Sequence, residues 1–232
     1  MRYREGTWDK AIADNIMLNN EYGLPDRFES DDLVIDIGAH IGGFTKAAWD
    51  RGCRNLIAYE PHPMNYALLA ENTEGLAGVA IHRAAVWKSG QQSTVLHAPW
   101  EFEDPQNTGG SDFLRTEGIA AYTVGLDTII ANRKVRFLKL DCEGAEFPIL
   151  LTATQLGMVE ELSMEFHEMA SGRGDDPWKE IPEVAKVGDI PFTAEVLMTH
   201  LQVNGLTEVS TFYRHGEHQT SRLGAIHVRR KN

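Results

Sequence analysis

Two periods of apolar residues run along this chain, and they divide it into elements. Trp8, Ile12, Ile16 and Asn20 recur at helical spacing, so residues 8–20 read as a helix and 21–32, with Gly23 and Pro25, as a loop. Leu33–Ile37 is a short apolar run and reads as a strand. Phe44, Ala47, Ala48 and Arg51 return to helical spacing, and Gly52 is placed to end that helix. Residues 55–59 read as a second strand. Pro63 opens a helix that runs to about Thr73 and stops at Gly75, and Val79–Val86 reads as a third strand. Strands joined by helical segments predict a βαβαβ unit and a parallel sheet.

The middle is less regular. Ser93–His97 fits an inserted strand, 99–118 a polar loop, 121–124 a strand and 126–132 a short helix. Val135–Leu140 reads as strand four, followed by Asp141-Cys142-Glu143-Gly144-Ala145-Glu146 and a helix to about Gln155. Residues 160–167 read as strand five, 170–190 as a polar loop and 193–204 as a helix. Residues 207–213 and 223–228 then pair as a closing antiparallel hairpin. The pattern predicts an N-terminal helical extension, 1–32, and one α/β domain with a mixed sheet, 33–232.

Composition narrows the partners. Apolar residues make up 42 % of the 232, enough for a sizeable core, while the formal net charge of −12 argues against nucleic acid, whose phosphates require clustered Lys and Arg. Arg229-Arg230-Lys231 reads as a solvated tail. Cys53 and Cys142 have neither zinc spacing nor a disulfide framework. The first twenty residues hold no apolar signal core, and no run reaches membrane length, so the expectation is a cytoplasmic protein without a membrane partner.

The stretch VIDIGAHIGGF, 34–44, carries the chemistry: a strand with one acid, a glycine turn, then a helix. Three cofactor classes use such turns. A dinucleotide fingerprint needs G-x-G-x-x-G, but His40 stands where its second glycine would meet the pyrophosphate. A Walker loop needs Gly-Lys-Ser/Thr, which this turn lacks. Asp-x-Gly-x-x-x-Gly, here Asp36, Gly38 and Gly42, suits S-adenosylmethionine. That ligand has no pyrophosphate and carries a cationic amine and a sulfonium. Glu60 lies twenty-two residues beyond Gly38 at the end of strand two, where a carboxylate can accept both ribose hydroxyls.

Three blocks make the chain resemble the FkbM family of S-adenosylmethionine-dependent methyltransferases. They are VIDIGAHIGGFT (34–45), YEPHP (59–63) and LDTII with VRFLKLDCEGAEFPIL (126–150); MEFHE (164–168) also fits the family's fifth strand. The resemblance spans about residues 33–170. It implies a Rossmann-like methyltransferase fold, a mostly parallel sheet with the C-terminal hairpin, and O-methylation of sugars or other natural-product hydroxyls. The expected partner is therefore a small-molecule or glycan acceptor. The alternatives are an N- or protein methyltransferase and a non-catalytic adenosylmethionine-binding module. The expected cofactor-binding residues are Asp36, Gly38, Ala39, His40, Ile41, Gly42, Glu60, Pro61, Ala85 and Asp141.

Ligands of open α/β sheets bind beyond the strands' carboxyl ends, which puts Asp36, Glu60, Asp141, Glu143, His167 and Glu168 on one rim. A hydroxyl acceptor needs a base, and His167 is the first candidate because its ordinary pKa lies near neutrality. Asp141 and Glu143 are the other catalytic candidates. Glu143 and Glu146 also read as first-turn helix acids, stabilised by the dipole. A divalent cation held by Asp141, Glu165 or Glu168, and His167 would replace the base. Trp100 and Phe102 are candidates to cover a sugar face. Cys142 reads as packing, and His215, His218 and His227 lack metal spacing.

Overall fold

The computed structural model describes residues 1–91, 95–98, 104–110, 117–169, 181–214 and 223–231. A central sheet contains β1 (Leu33–Ile37), β2 (Asn55–Tyr59), β3 (Val79–His82), β7 (Phe137–Leu140), β8 (Glu161–His167), β9 (Leu206–Arg214) and β10 (Leu223–Arg230). Their spatial order is β3-β2-β1-β7-β8-β10-β9. The first five run parallel, and β10 pairs antiparallel with both β8 and β9. This is the mostly parallel sheet with a C-terminal hairpin that the pattern predicted. Strand order reverses between β1 and β7, which makes the ends of these two strands the topological switch point.

The central strands β1 and β7 bury both faces, as parallel strands covered by helices must. On one face Val34, Leu56, Ala58 and Phe137 pack with α1 (Asp9–Asn19), α2 (Gly43–Asp50) and α3 (Pro63–Thr73) through Ile16, Phe44, Ala47 and Leu69. On the other, Ile35, Ile37, Leu138 and Leu140 share a core with α4 (Leu126–Ile130), α5 (Glu146–Thr152) and α6 (Ala194–Val203). A second sheet, β4 (Ala85–Trp87), β6 (Ile119–Gly125) and β5 (Val95–Ala98) in that order, adds Trp87, Leu96 and Ala121 to this core.

The expected third strand, 79–86, is therefore two. β3 pairs with β2 at the sheet edge, whereas β4 crosses to pair with β6. Val79–His82 alternates between half-buried and exposed, but Ala85–Trp87 is buried throughout. A continuous apolar run conceals that change of sheet. The expected lid aromatics Trp100 and Phe102 lie outside the described residues, as do His215 and His218. No described helix is long and apolar enough to cross a membrane.

Phe137 shows how the α1–α2 face is held. It is fully buried, meets Phe28 edge-on at 6.3 Å between ring centroids and lies 5.8 Å from Phe44. Phe137→Ala should lower unfolding free energy by about 3–5 kcal/mol through lost transfer energy and the cavity it leaves. Urea denaturation will measure this as a drop in midpoint with an unchanged slope.

Candidate active site

The glycine turn after β1 is shaped by backbone constraints. Gly38 has φ +75°, and a Cβ there would lie 1.7 Å from the Asp141 carbonyl oxygen. Glycine is thus required where the ends of β1 and β7 touch. His40 also takes positive φ, at 52°. Gly38 and Ala39 donate their amides to the Tyr59 carbonyl at 3.0 Å, tying the turn to the end of β2.

Glu60 completes that end. Its Oε2 accepts the His40 amide at 2.8 Å and its Oε1 the His62 amide at 2.9 Å. Burial raises its pKa to about 7 despite these donors. The carboxylate is held in one orientation, facing the cavity, with lone pairs left for further donors.

Beneath the turn lies a buried ion pair. Asp36 and Lys139 are cross-strand neighbours on β1 and β7, with Nζ 3.3 Å from Oδ1. Thr45 donates its hydroxyl to Asp36 Oδ2 at 2.7 Å, and Lys139 donates to the Gly38 carbonyl at 2.5 Å. Burial works against the lysine's charge, but Asp36 and Asp141 outweigh it and hold Lys139 above its ordinary range.

Past β7, Glu143 takes positive φ (52°) and Gly144 follows at 95°. Glu146 reaches back so that its two oxygens accept the Cys142 and Gly144 amides, each at 2.9 Å. His167, at the end of β8, sits between two carboxylates: Nε2 is 3.1 Å from Glu143 and Nδ1 3.3 Å from Glu146. Burial alone would favour the neutral ring, but the two carboxylates more than reverse this and hold His167 well above its ordinary pKa. Burial pushes Glu165 up to about 8, helped by the neighbouring Asp141 charge.

These groups border one cavity of about 520 Å³ at the switch point. Gly38, Ala39, His40, Ile41, Glu60, Pro61, Ala85, Asp141, Glu143 and His167, all candidates from the sequence, line it. Four residues stand elsewhere than the sequence reading placed them. Asp36 is fully buried one layer below, occupied by Thr45 and Lys139, and does not reach the wall. Gly42 also lies off the wall: it precedes α2 at φ +96°, and its Cβ position faces Leu69 at 2.9 Å. Glu168, expected on the rim, turns to the opposite side and accepts the Ala194 amide at the start of α6 at 2.6 Å. Glu143, expected in a helix's first turn, stands in the turn before α5.

Other wall residues were not anticipated from the sequence. Trp8, Ile12, Ala13, Ile16, Glu21 and Tyr22 come from the N-terminal segment, and Asn107, Gly109 and Gly110 from a loop joined to it. A buried cluster makes the join. Arg4 holds both Asp9 oxygens at 2.9 Å and Asn65 at 2.8 Å; Thr108 donates to Asp9 at 2.5 Å and lies 2.8 Å from His40 Nε2. Burial works against the Asp9 charge, but hydrogen bonds from His40, Arg4 and Thr108 hold its carboxyl far below the usual range. No motif spacing marks these residues. Among the described residues, no group of three or more His, Cys, Asp or Glu side chains is arranged to hold a metal ion.

The Methyltransferase FkbM domain matches residues 36–187. The chain belongs to the FkbM methyltransferase domain family. Hexuronic acid methyltransferase AglP of Haloferax volcanii is 28 % identical over 149 residues, 62 % of this chain and 59 % of AglP. The chain thus spans about three fifths of that relative's length. The N-terminal domain of EvdMO1, solved in the presence of SAH and D-fucose, superposes with a TM-score of 0.51 at 13 % identity, over 100 % of this chain and 88 % of that one. A methyltransferase FkbM from Methylobacillus flagellatus KT gives a TM-score of 0.45 at 16 % identity, over 88 % of this chain and 45 % of that one. At such identities the structural likeness shows the fold alone.

For an FkbM domain the implied cofactor is S-adenosylmethionine, and the cavity fits it. Its volume is within the range of small-ligand sites. Glu60 at the end of β2 suits a ribose, Pro61, Ala84 and Ala85 offer an apolar adenine wall, and Asp141 suits a cationic amine.

Two outcomes follow from the geometry. Gly38→Ala should destabilise by several kcal/mol, because the φ is strained and the new methyl would overlap backbone rather than a movable side chain. A fall in melting temperature of well over 5 °C, larger than for Gly75→Ala in open space, will check this. His167 has a raised folded pKa, so its stabilisation is complete below about pH 6.5 and is lost as pH rises toward that raised value. The parent's melting temperature should therefore decline above neutrality more steeply than that of His167→Gln, and equal slopes would contradict the clamp.

Proposed function

We propose that this protein is an S-adenosylmethionine-dependent O-methyltransferase acting on a hydroxyl of a sugar, glycan or other small natural product. The supporting observation is that one cavity runs from Glu60, suited to a ribose, to an end crowded with Glu21, Asp141, Glu143, Glu165 and His167. Carboxylates at that end can accept hydrogen bonds from several hydroxyls of a polyol. The AglP relative, named for methylation of a hexuronic acid, is consistent with a sugar acceptor.

In this reading Gly38–Ile41 cradle the cofactor through backbone, Glu60 accepts its ribose hydroxyls and Asp141 holds its amino group. When bound, the cofactor supplies a methyl group on a sulfonium, a good leaving group. The protein aligns the acceptor oxygen and excludes water, which α1 and the Asn107–Gly110 loop do by covering the cleft. The proton acceptor is Glu165 rather than His167. His167 already holds a proton between Glu143 and Glu146, whereas Glu165, with a pKa of about 8, is a stronger base than an ordinary carboxylate once ionised.

Calorimetric titration with S-adenosylmethionine, with NAD as control, tests the cofactor. The expected result is saturable binding of the first only, weakened at least about tenfold by Glu60→Gln, which disrupts charge-assisted ribose contacts. A panel of neutral sugars, uronates, amines and peptides then tests the acceptor. Methyl transfer to a hydroxyl should rise with pH up to about 8 and lose that limb in Glu165→Gln. Transfer to amines alone, or tight NAD binding, would refute the reading.

A further inference from the structure

We propose that Tyr22, which lies outside the family-matched region, is a positioning residue that orients the Asp141 carboxylate at the amino-acid end of the cofactor cleft. This rests on the cofactor assignment above. Tyr22 donates its hydroxyl to Asp141 Oδ2 at 2.8 Å. Its ring meets Phe44 edge-on at 5.8 Å and lies 5.2 Å from Lys139 Nζ. The residue is 6 % exposed, yet it borders the cavity.

Its own loop is tightly fixed. Asn20, in left-handed conformation at the end of α1, holds both backbone groups of Leu24: its Oδ1 accepts the Leu24 amide and its Nδ2 donates to the Leu24 carbonyl, each at 2.9 Å. Gly23 lies so close to His227 on β10 that a Cβ would approach its Nδ1 to 2.5 Å. Tyr22 is thereby braced between α2, β7 and β10 before any ligand arrives.

Asp141 needs such a donor. Glu165, Glu143 and Glu21 all bear on its surroundings, while Lys139 is drawn to Asp36 and the Gly38 carbonyl. Burial and the adjacent Asp141 charge keep the phenol protonated, so Tyr22 remains a donor. One oxygen of Asp141 is thus fixed by the phenol, and the other is directed to a cation. In the bound cofactor that cation is the methionine amino group.

The full-length parent and Tyr22→Phe are titrated calorimetrically with S-adenosylmethionine, S-adenosylhomocysteine and 5′-methylthioadenosine. The third ligand lacks the amino-acid portion. Phenylalanine keeps the ring packing and removes only the donor. The expected result is a loss of about tenfold for the first two ligands, the scale of a hydrogen bond to a charged group, with methylthioadenosine unchanged. In an Asp141→Asn background, Tyr22→Phe should add nothing further. Equal weakening of all three ligands would mean a merely structural role, and no change in any would remove the role altogether; both overturn the proposal while the cofactor assignment stands. A parent that binds none of the three would instead refute the cofactor assignment itself.

Discussion

The Asp36–Lys139 pair at the centre of the sheet is the constraint on which the site depends. It spans β1 and β7, the two strands whose ends form the switch point. Both side chains are almost completely buried, so each is stable as a charge only through the other and through its hydrogen bonds. Those further bonds set the geometry above. Lys139 reaches the Gly38 carbonyl and thereby fixes the glycine turn, and Thr45 ties Asp36 to α2. Removing either charge leaves the other uncompensated, a loss of about 3–5 kcal/mol. The acid in the apolar strand thus acts on the glycine turn from below, through Lys139 and Thr45.

The acids at the rim are disposed by the same logic. Glu60 and Glu146 each use both oxygens to receive amides from the turns beside them. Loop closure and site electrostatics are therefore carried by the same carboxylates. His167 sits where Glu143 and Glu146 converge and offsets part of their charge. Burial and the Asp141 charge raise the pKa of Glu165.

Much of this was legible in the sequence where the signal is local. The period change around 33–44, the glycine turn and Glu60 at the end of β2 predicted the parallel half of the sheet and several residues that line the cavity. Information failed where one residue's role depends on a distant one. Asp36 reads as a ligand-facing acid until Lys139 is known to stand beside it. His167 reads as a lone imidazole at a strand end, and its contacts with Glu143 and Glu146 are not visible locally. The run 79–86 reads as one strand because nothing local records that β4 pairs with β6.

The N-terminal segment presents the same difficulty on a larger scale. Its sequence suggests an appended helix ending before residue 33, yet Ile16, Tyr22, Leu24 and Phe28 share a core with Val34, Leu56 and Phe137. Gly43 at the start of α2 lies so close to Ala13 that its Cβ position would be 3.3 Å from the Ala13 Cα, so α1 rests on α2 at backbone distance. The Arg4–Asp9–Thr108–His40 cluster then fastens that helix to the glycine turn. An isolated amphipathic helix of this length would be marginal in water, and its stability must come from these contacts. The reverse dependence also holds: without α1, the His40 side chain and the apolar side of Phe44 would be left facing solvent beside the cleft. The cleft is thus lined both by residues of the N-terminal segment, among them Ile16 and Tyr22, and by the ends of the sheet strands.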